Sequence, residues 1–243
     1  MTTQYRTEAD FLKAYNIHDY DIPLVSVDIA IFTLHDDQLK VLLVKRPDYP
    51  QKGKWALPGG FVDVKRDNDL RETALRKLSE KTSVHAPYLE QLESVGSATR
   101  DPRGWSVTVV YFALIPYHEL APAKTVSEEV GWVSVEQALE RKLAFDHTDL
   151  LQRSLNRVRS KVLYTLMPAY LIASPFTLST LQQAYEIILG RPVEKKAFRR
   201  RLENAEVIEP TGGMESQSAG RPAALYRLKP AVSGFNFSRQ LNP

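Results

Sequence analysis

The pattern of apolar residues changes near residues 150–155, and this change predicts two modules of different architecture. Before it, residues 24–34 (LVSVDIAIFTL) are rich in β-branched side chains and alternate as in a strand. Residues 39–46 predict its hairpin partner across a turn at 35–38, and a loop rich in Pro and Gly follows at 47–60. The remaining elements predicted here are helices at 69–82, 136–142 and 146–167, and strands at 91–99, 106–115 and 130–133. Strands and helices that do not alternate strictly are typical of an α+β domain.

After this change the sequence predicts three helices and a short hairpin. Residues 155–166 continue the helix from 146–167, and the later predicted elements are helices at 179–189 and 193–204, a strand at 207–208, a loop at 211–220 and a strand at 223–228. Ser179 and Gln182 have the spacing of a capping box, Gly190 predicts the end of that helix, and Pro192 predicts the opening of the next. Three helices followed by a two-stranded hairpin are typical of a winged helix-turn-helix domain.

Composition excludes several classes of protein. The 243 residues contain no cysteine, which excludes disulfides, a thiolate metal site and a cysteine nucleophile. No apolar run approaches the ~18 residues that a membrane helix needs. The N-terminal residues (MTTQYRTEADFLKAY) lack the apolar core of a signal peptide, so the sequence predicts a cytoplasmic protein.

Charge is distributed unevenly along the chain. Residues 155–243 contain 13 Lys and Arg against six Glu, a net charge of +7, whereas residues 1–154 have a net charge of −4. A basic module attached to a mildly acidic one indicates a polyanionic partner for the basic part.

The third predicted helix of the C-terminal module concentrates this charge. Phe198 and Leu202 are four residues apart and predict one buried face. A DNA-reading helix needs cations for phosphates and guanidinium groups for guanine edges. The hairpin adds one arginine within Gly220-Arg221-Pro222, at a predicted wing tip. The candidate DNA-binding residues are Lys195, Lys196, Arg199, Arg200, Arg201 and Arg221.

The segment from Gly60 to Val84 resembles the Nudix box, with flanking similarity in Lys54-Trp55-Ala56-Leu57-Pro58-Gly59-Gly60-Phe61 and in Gly131-Trp132-Val133. The resemblance implies an α-β-α Nudix sandwich for the N-terminal module. Arg76, Leu78, Glu80 and Val84 match the family pattern. Asn68, Lys77 and Lys81 occupy three of its glutamate positions, Ser83 replaces a glycine, and the loop after Gly60 is two residues longer.

These departures change the chemistry that the Nudix helix can perform. Positions 77, 80 and 81 share one helix face, which in the family carries three glutamates that bind divalent cations. Here that face has the sequence Lys-Glu-Lys, so we expect no metal site, no catalytic residue and no hydrolysis by the usual route. Lys77 and Lys81 can instead pair with phosphates. In the alternative interpretation both lysines are merely solvated and Glu80 pairs with Arg76.

Both modules together resemble the NrtR family, the Nudix-related transcriptional regulators of NAD metabolism. The resemblance extends from about residue 20 to about 230 and is most specific in Phe198-Arg199-Arg200-Arg201-Leu202, Gly220-Arg221-Pro222-Ala223 and Leu225-Tyr226-Arg227. It implies a homodimeric repressor of NAD biosynthesis or salvage genes, with ADP-ribose or a related nucleotide as the effector that releases DNA and no required cofactor. The candidate effector-binding residues are Arg46, Lys54, Trp55, Gly59, Gly60, Phe61, Lys77, Glu80, Lys81, Arg100, Arg103 and Trp105.

The predicted organisation is an N-terminal arm (1–20), a Nudix-like effector-binding and dimerisation module (21–152), a winged-helix module (153–232) and a C-terminal tail (233–243). Two alternatives remain at this point. In one, the protein is an active Nudix hydrolase of a nucleoside diphosphate derivative that uses other acids, namely Asp63, Asp67, Asp69, Glu72, Glu128 or Glu129. In the other, the Nudix fold is only a dimerisation scaffold for a DNA-binding protein.

Overall fold

The computed structural model describes residues 5–82, 88–119, 130–215, 222–230 and 234–241. The N-terminal module is built on a seven-stranded mixed sheet. Its strands are β1 (Leu24–His35), β2 (Gln38–Lys45), β3 (Trp55–Ala56), β4 (Gly59–Phe61), β5 (Tyr88–Ser97), β6 (Ser106–Leu114) and β7 (Val130–Ser134). Its helices are α1 (Glu8–Ala14), α2 (Leu70–Thr82), α3 (Val135–Glu140) and α4 (His147–Val162).

Strand β1 is the centre of this sheet. The strand order is β3-β2-β1-β6-β5, with β4 paired to β1 and β7 paired to β2. β1 runs parallel to β6 from Leu24 to Phe32, whereas β2 and β4 pair with it in antiparallel fashion. The predicted hairpin turn is confirmed, because Asp36 and Asp37 have φ angles of 53° and 54°, as a tight two-residue turn requires.

The two faces of β1 bury different helices. Val27, Ile29 and Ile31 pack with Ala74 and Leu78 of α2 in one apolar cluster. The alternate residues of β1, Ala30 and Phe32, pack on the other face with Leu151 and Leu155 of α4. Each fully buried aliphatic side chain of this kind contributes about 1.5–3 kcal/mol. The α-β-α sandwich is therefore confirmed.

The segment predicted as a loop at 47–60 contains two short strands, so this part of the prediction is wrong. β3 pairs with the end of β2, and β4 pairs with Ser26–Asp28 of β1. Gly59 allows this pairing, because a Cβ atom there would lie only 2.3 Å from Asp28 Oδ1. Backbone contact of this closeness is not visible in a periodicity pattern.

The C-terminal module has the predicted winged-helix architecture. It consists of β8 (Phe176–Thr177), α5 (Leu178–Leu189), α6 (Lys195–Ala205), β9 (Ile208–Glu215) and β10 (Ala223–Leu228), with sheet order β8-β10-β9. The predicted loop at 211–220 is wrong in its first half, because β9 continues to Glu215. Gly212 has a φ angle of 78° and marks an irregularity within the strand rather than its end. The second half of that loop lies outside the described residues.

Two predicted helix starts differ from the structure. Thr177 is the N-cap of α5 and accepts a hydrogen bond from Thr180 N at 3.1 Å, in place of the predicted Ser179 box. Glu194 caps α6 through the backbone N–H groups of Lys196 and Ala197, so Pro192 lies before the helix and does not open it. Gly190 ends α5 with a left-handed backbone, as predicted.

Helix α4 is shorter than the predicted 146–167, because the chain beyond it forms other hydrogen bonds. Phe237 N and Leu241 N donate to the carbonyl groups of Tyr164 and Leu163 at 2.7 and 2.8 Å. A 3-10 helix follows at Met167–Leu171, with a proline in its first turn. The segment 234–241, predicted as a tail, therefore lies against the end of α4.

The two modules share one apolar core. A single cluster of buried residues extends from Phe32 of β1 through Leu155 of α4 to Phe198 and Leu202 of α6. A polar contact also joins them, because Gln183 Nε2 of α5 donates to Asp37 Oδ1 in the β1–β2 turn at 2.7 Å. Among the described helices, none combines the length and the apolar character needed to cross a lipid bilayer.

Candidate functional site

A pocket of about 280 Å³ opens where β1, β4, the β5–β6 loop and the start of α4 meet. The structure brings seven of the predicted effector-binding residues to its wall: Arg46, Gly59, Gly60, Phe61, Lys81, Arg100 and Arg103. Gly60 has a φ angle of 149°, and a Cβ atom there would lie 3.0 Å from Lys77 Cε. Lys77 thus lies directly behind the pocket wall at Gly60.

Four predicted residues lie away from this wall. The Trp55 ring faces Gly131 on β7, and Trp105 packs over Gly96 on β5 with 52% of its surface exposed. The Lys54 carbonyl accepts a hydrogen bond from Arg46 N and braces the β2–β3 loop. Glu80 is engaged by neighbouring cations on α2. The structure therefore separates the two tryptophans from the pocket that they were predicted to line.

The sequence analysis missed several residues of the pocket wall, among them Asp28, Asp101, Phe145 and His147. Asp28 left a signal, because it is a single acid inside an otherwise apolar strand that is buried on both faces. His147 had no such signal, because it lies about 120 residues further along the chain and reaches the pocket only through the tertiary fold.

Three arginines of the pocket are held in place by their neighbours. Arg100 forms two hydrogen bonds with Asp146, each 2.9 Å long. Arg103 forms two with Asp101 through its side chain, at 3.0 and 2.7 Å, and these bonds hold the pKa of Asp101 below its usual value. Arg46 Nε donates to a backbone carbonyl at 2.9 Å, and burial lowers the pKa of this guanidinium.

Two aromatic rings complete the cationic wall. The guanidinium carbon of Arg103 lies 4.8 Å from the centre of the Phe61 ring, and that of Arg46 lies 4.8 Å from the centre of the Phe145 ring. Cation–π contacts of this kind orient the guanidinium groups. Arginines fixed in this way present their remaining N–H groups to an anion such as a diphosphate.

The protonation of His147 follows from its hydrogen bond. The backbone N–H of Leu57 donates to His147 Nδ1 at 2.9 Å, so this nitrogen carries the lone pair. Burial lowers the pKa of His147 below its ordinary value, and the ring is neutral at pH 7. The proton of a neutral ring must then be on Nε2, which faces Asp28 Oδ1 at 3.7 Å.

The Nudix helix α2 carries ion pairs in place of a cluster of acids. Glu80 accepts from Arg76 and from Lys77, at 3.1 Å in both cases. Arg76 also pairs with Asp67 at 2.7 and 2.5 Å, and this contact lowers the pKa of Asp67. The Glu80–Arg76 pair of the alternative interpretation is therefore present, whereas Lys77, which that interpretation left solvated, also pairs with Glu80.

The acids proposed for an alternative metal site are likewise engaged. Asp69 accepts from Glu72 N at 2.7 Å, Glu72 accepts from Asn68 N at 2.8 Å, and Asp63 accepts from Lys65 N at 3.1 Å. Glu128 and Glu129 lie outside the described residues. Within the described ranges, no group of three acid or histidine side chains converges in a way that could hold a metal ion.

Helix α6 buries Phe198 and Leu202, as predicted, and the Phe198 ring meets Tyr185 of α5 at 5.0 Å. The opposite side carries the cationic helix face, which consists of Lys195, Lys196, Arg199 and Arg200. Three of these side chains are exposed, and Arg199 is half-buried. Such a face can contact the phosphates and base edges of DNA.

Arg201 belongs to the opposite, packed side of α6, and this corrects its place among the predicted DNA-binding residues. Its guanidinium carbon lies 3.8 Å from the centre of the Phe237 ring, and Nη2 donates to the Leu163 carbonyl at 2.8 Å. Arg201 follows the buried Phe198 by three residues and therefore lies toward the packed side of the helix, which explains the difference. Burial lowers the pKa of Arg201. Arg221, at the predicted wing tip, lies outside the described residues.

Comparison with known proteins agrees with this arrangement. A family model for the NUDIX domain matches residues 25–154, and a model for the NrtR DNA-binding winged helix domain matches residues 168–228. The fold and the two sites define a Nudix module joined to a DNA-binding winged helix through a shared core.

Relatives share this architecture over nearly the whole chain. An ADPR-responsive transcriptional repressor from Acinetobacter baylyi is 50% identical over 242 residues, which covers 99% of this chain and 96% of the relative. The crystal structure of Shewanella oneidensis NrtR complexed with a 27-mer DNA has a TM-score of 0.85 and 46% identity, covering 90% of this chain and 99% of that chain. This protein belongs to the NrtR family of transcriptional regulators.

A third comparison concerns the N-terminal module alone. The structure of the NUDIX domain of Shewanella oneidensis NrtR complexed with ADP ribose has a TM-score of 0.59 and 46% identity. It covers 63% of this chain and 99% of that chain. The module that contains the pocket described above therefore corresponds to a ligand-binding domain in that relative.

Proposed function

We propose that this protein represses genes of NAD biosynthesis or salvage by binding operator DNA, and that ADP-ribose in the Nudix pocket releases the DNA. The observation that carries this proposal is the 50% identity, over nearly the entire chain, to a repressor described as ADPR-responsive. That span includes the pocket and the cationic helix face. A DNA-binding regulator of this kind acts in the cytoplasm of a bacterium.

The cationic helix face supports the DNA-binding part. Lys195, Lys196 and Arg200 project into solvent from a helix whose other side is anchored by Phe198. A rigid helix with one buried and one cationic side fits the major groove. The Shewanella relative bound to a 27-mer DNA has the same fold.

The pocket supports the effector part. Arg46 and Arg103 offer guanidinium groups oriented by ring contacts, and Lys81 adds positive charge to the same wall. A diphosphate linking two riboses carries two negative charges at its centre, which such a wall attracts. Phe61 and Phe145 offer apolar surface beside the arginines for a base or a sugar ring.

The Nudix helix supports binding without hydrolysis. Lys77 and Lys81 occupy glutamate positions of the family pattern, and Glu80 is neutralised by Arg76 and Lys77. A helix face with two ammonium groups and one paired carboxylate does not fit a hard divalent cation, which requires several oxygen ligands. We therefore propose that the pocket binds the effector and leaves it intact.

The DNA-binding form is proposed to be a homodimer. Paired half-sites are usually recognised by two copies related by two-fold symmetry, and one winged helix contacts only one half-site. Under this proposal the N-terminal module provides the contact between the two copies, in addition to the effector pocket.

A mobility-shift titration on the region upstream of the protein's own gene tests the proposed function. We expect a shifted band without effector and its loss with ADP-ribose, at constant salt. Adenosine monophosphate at the same concentration serves as the control ligand. A complex that ADP-ribose leaves unchanged would contradict the effector role, and the absence of any complex would contradict DNA binding at that site.

A further inference from the structure

Asp28 is a buried carboxylate whose oxygens form no hydrogen bond with the residues that the structure describes. It is 6% exposed and lies in the wall of the effector pocket. Its nearest donors are Arg100 Nη2, 3.6 Å from Oδ2, and His147 Nε2, 3.7 Å from Oδ1. Both distances exceed those of a hydrogen bond. Arg100 therefore forms an ion pair with Asp28 but no hydrogen bond. A buried carboxylate whose oxygens lack hydrogen-bond donors is unfavourable, and such a group at a pocket wall indicates a ligand that supplies a donor.

His147 places a donor beside this acceptor. Its Nδ1 accepts from Leu57 N, so Nε2 carries the ring proton and points toward Asp28. The backbone of Gly59 closes the space on the other side of Oδ1, where even a Cβ atom would not fit. The pocket therefore presents one acceptor and one donor, 3.7 Å apart, in a confined space.

We propose that Asp28 and His147 together bind one ribose hydroxyl of the effector and make the pocket selective for it. A hydroxyl is a single atom that can donate to Asp28 Oδ1 and accept from His147 Nε2–H at the same time. An oxygen about 2.8 Å from each partner spans the measured separation. This assignment rests on the proposed effector role of ADP-ribose and specifies which chemical group of it is recognised.

The assignment also explains discrimination against other nucleotides. A terminal phosphate at this place would bring negative charge against the Asp28 carboxylate and would offer it no donor at neutral pH. An adenine edge presents its donor and its acceptor on two different atoms, and it is wider than one hydroxyl. Asp28 therefore favours the sugar of the effector, whereas the arginines favour its phosphates.

The first test uses the wild-type protein with altered ligands, so that it does not depend on the stability of a variant. Calorimetry would compare ADP-ribose with analogues in which one ribose hydroxyl at a time is replaced by hydrogen, and with the inosine analogue, which lacks the adenine amine. We expect one deoxy analogue to bind about 10–100-fold more weakly, the size of a hydrogen bond to a charged group. The inosine analogue should lose less than about 3-fold.

The second test adds the variant Asp28→Asn and a matched control. With Asn at this position, ADP-ribose should bind about 10–100-fold more weakly, and the difference in affinity between ADP-ribose and the sensitive deoxy analogue should shrink, because the hydrogen bond from His147 remains. The control is Asp101→Asn, because Asp101 is equally buried but is paired with Arg103. That variant should weaken both ligands by the same factor.

The outcomes separate this assignment from the proposed function. If ADP-ribose binds the wild-type protein but every deoxy analogue binds equally well, or if the inosine analogue alone is weakened, the assignment is overturned and the effector role stands. The assignment is also overturned, and the effector role stands, if Asp28→Asn weakens the binding of ADP-ribose and of the deoxy analogue by the same factor. A wild-type protein that does not bind ADP-ribose would overturn both.

Discussion

Arg201 of helix α6 lies over Phe237 of the C-terminal segment, with its guanidinium carbon 3.8 Å from the ring centre. The same guanidinium donates to the Leu163 carbonyl just beyond the end of α4. Three elements therefore meet at one side chain: α4, α6 and the segment 234–241. This basic residue of α6 therefore contacts the rest of the protein and helps to position the helix.

Replacing this arginine should lower the free energy of unfolding and leave the electrostatic contribution to DNA binding nearly unchanged. Arg201→Ala removes a partly buried cation–π contact and a hydrogen bond, so we expect a loss of about 1–3 kcal/mol in the free energy of unfolding. Denaturant unfolding measures this loss, with Phe237→Leu as a second variant that removes only the ring. The salt dependence of DNA binding should keep its slope, and a slope reduced by one unit would instead indicate that Arg201 contacts a phosphate.

The cationic helix face should show the opposite behaviour. Lys196→Ala, Arg199→Ala and Arg200→Ala should each weaken DNA binding with little change in unfolding. A residue that contacts a phosphate should reduce the salt slope by about one unit on every sequence. A bidentate base contact should cost about 1–3 kcal/mol of discrimination between operator and altered DNA. Unchanged affinity and slope in all three variants would place the DNA surface elsewhere.

The N-terminal module should not hydrolyse ADP-ribose with magnesium. Glu80 is paired with Arg76 and Lys77, so no set of carboxylates is available on that helix face to hold a divalent ion. The amount of product, measured by chromatography, should remain at background. Robust magnesium-dependent turnover would show that the acids of an alternative site act as ligands.

A companion variant tests whether the replaced glutamates account for the expected lack of hydrolysis. Asn68→Glu, Lys77→Glu and Lys81→Glu together restore the glutamates of the family pattern. We expect this triple variant to bind a divalent cation in calorimetry, whereas turnover should stay low because the loop after Gly60 is two residues longer than the pattern. Full activity would show that the loop length does not matter.

The effector and the operator should weaken each other by the same factor. A ligand that releases DNA must bind the DNA-competent and DNA-incompetent states with different affinities. Linkage then requires that DNA lower the affinity for ADP-ribose equally, and a typical coupling is about 5–150-fold. Calorimetry on the free protein and on the DNA complex measures this factor. Equal affinities of the free protein and of the DNA complex for ADP-ribose would mean that the Nudix module serves only as a scaffold.

The lysines of the Nudix helix provide a variant for the same experiment. Lys81 lines the pocket and Lys77 lies behind Gly60, far from the cationic helix face in the sequence. Replacing both with Gln should weaken the response to ADP-ribose and leave DNA affinity without ligand nearly unchanged. A large loss of DNA affinity in the absence of ligand would show that these lysines support the DNA-binding form itself.

Local patterns predicted much of the fold, because its main elements have clear periodicity. The hairpin of β1 and β2 and the helix α2 lie within a residue or two of their predicted bounds. The errors occur where long-range contacts decide the structure. β4 forms because Gly59 can pack against Asp28. α4 ends just before Leu163 and Tyr164, whose carbonyl groups accept hydrogen bonds from the segment 234–241.

The candidate site was predictable in its glycines, in its cations and in Phe61. Arg46, Arg100 and Arg103 are on loops beside predicted strands, and the structure brings them together. The tryptophans were expected to stack a base, but the pairing of β3 with β2 turns Trp55 toward β7. His147 could not be found by local reasoning, because its partner Asp28 is on a different layer of the sandwich.

Strand β1 contains Asp28, in the pocket wall, and leads into the turn in which Asp37 accepts a hydrogen bond from Gln183 of the winged helix. At about 3.3 Å per residue, roughly 23 Å of extended strand joins Asp28 to His35, where the turn begins. Pairing with β6 up to Phe32 and with β2 from Phe32 to His35 holds this stretch within the sheet along its whole length. A displacement of β1 at Asp28 is expected to be transmitted to the contact with α5 through the strand itself. One strand therefore connects the pocket wall to the contact with the winged helix.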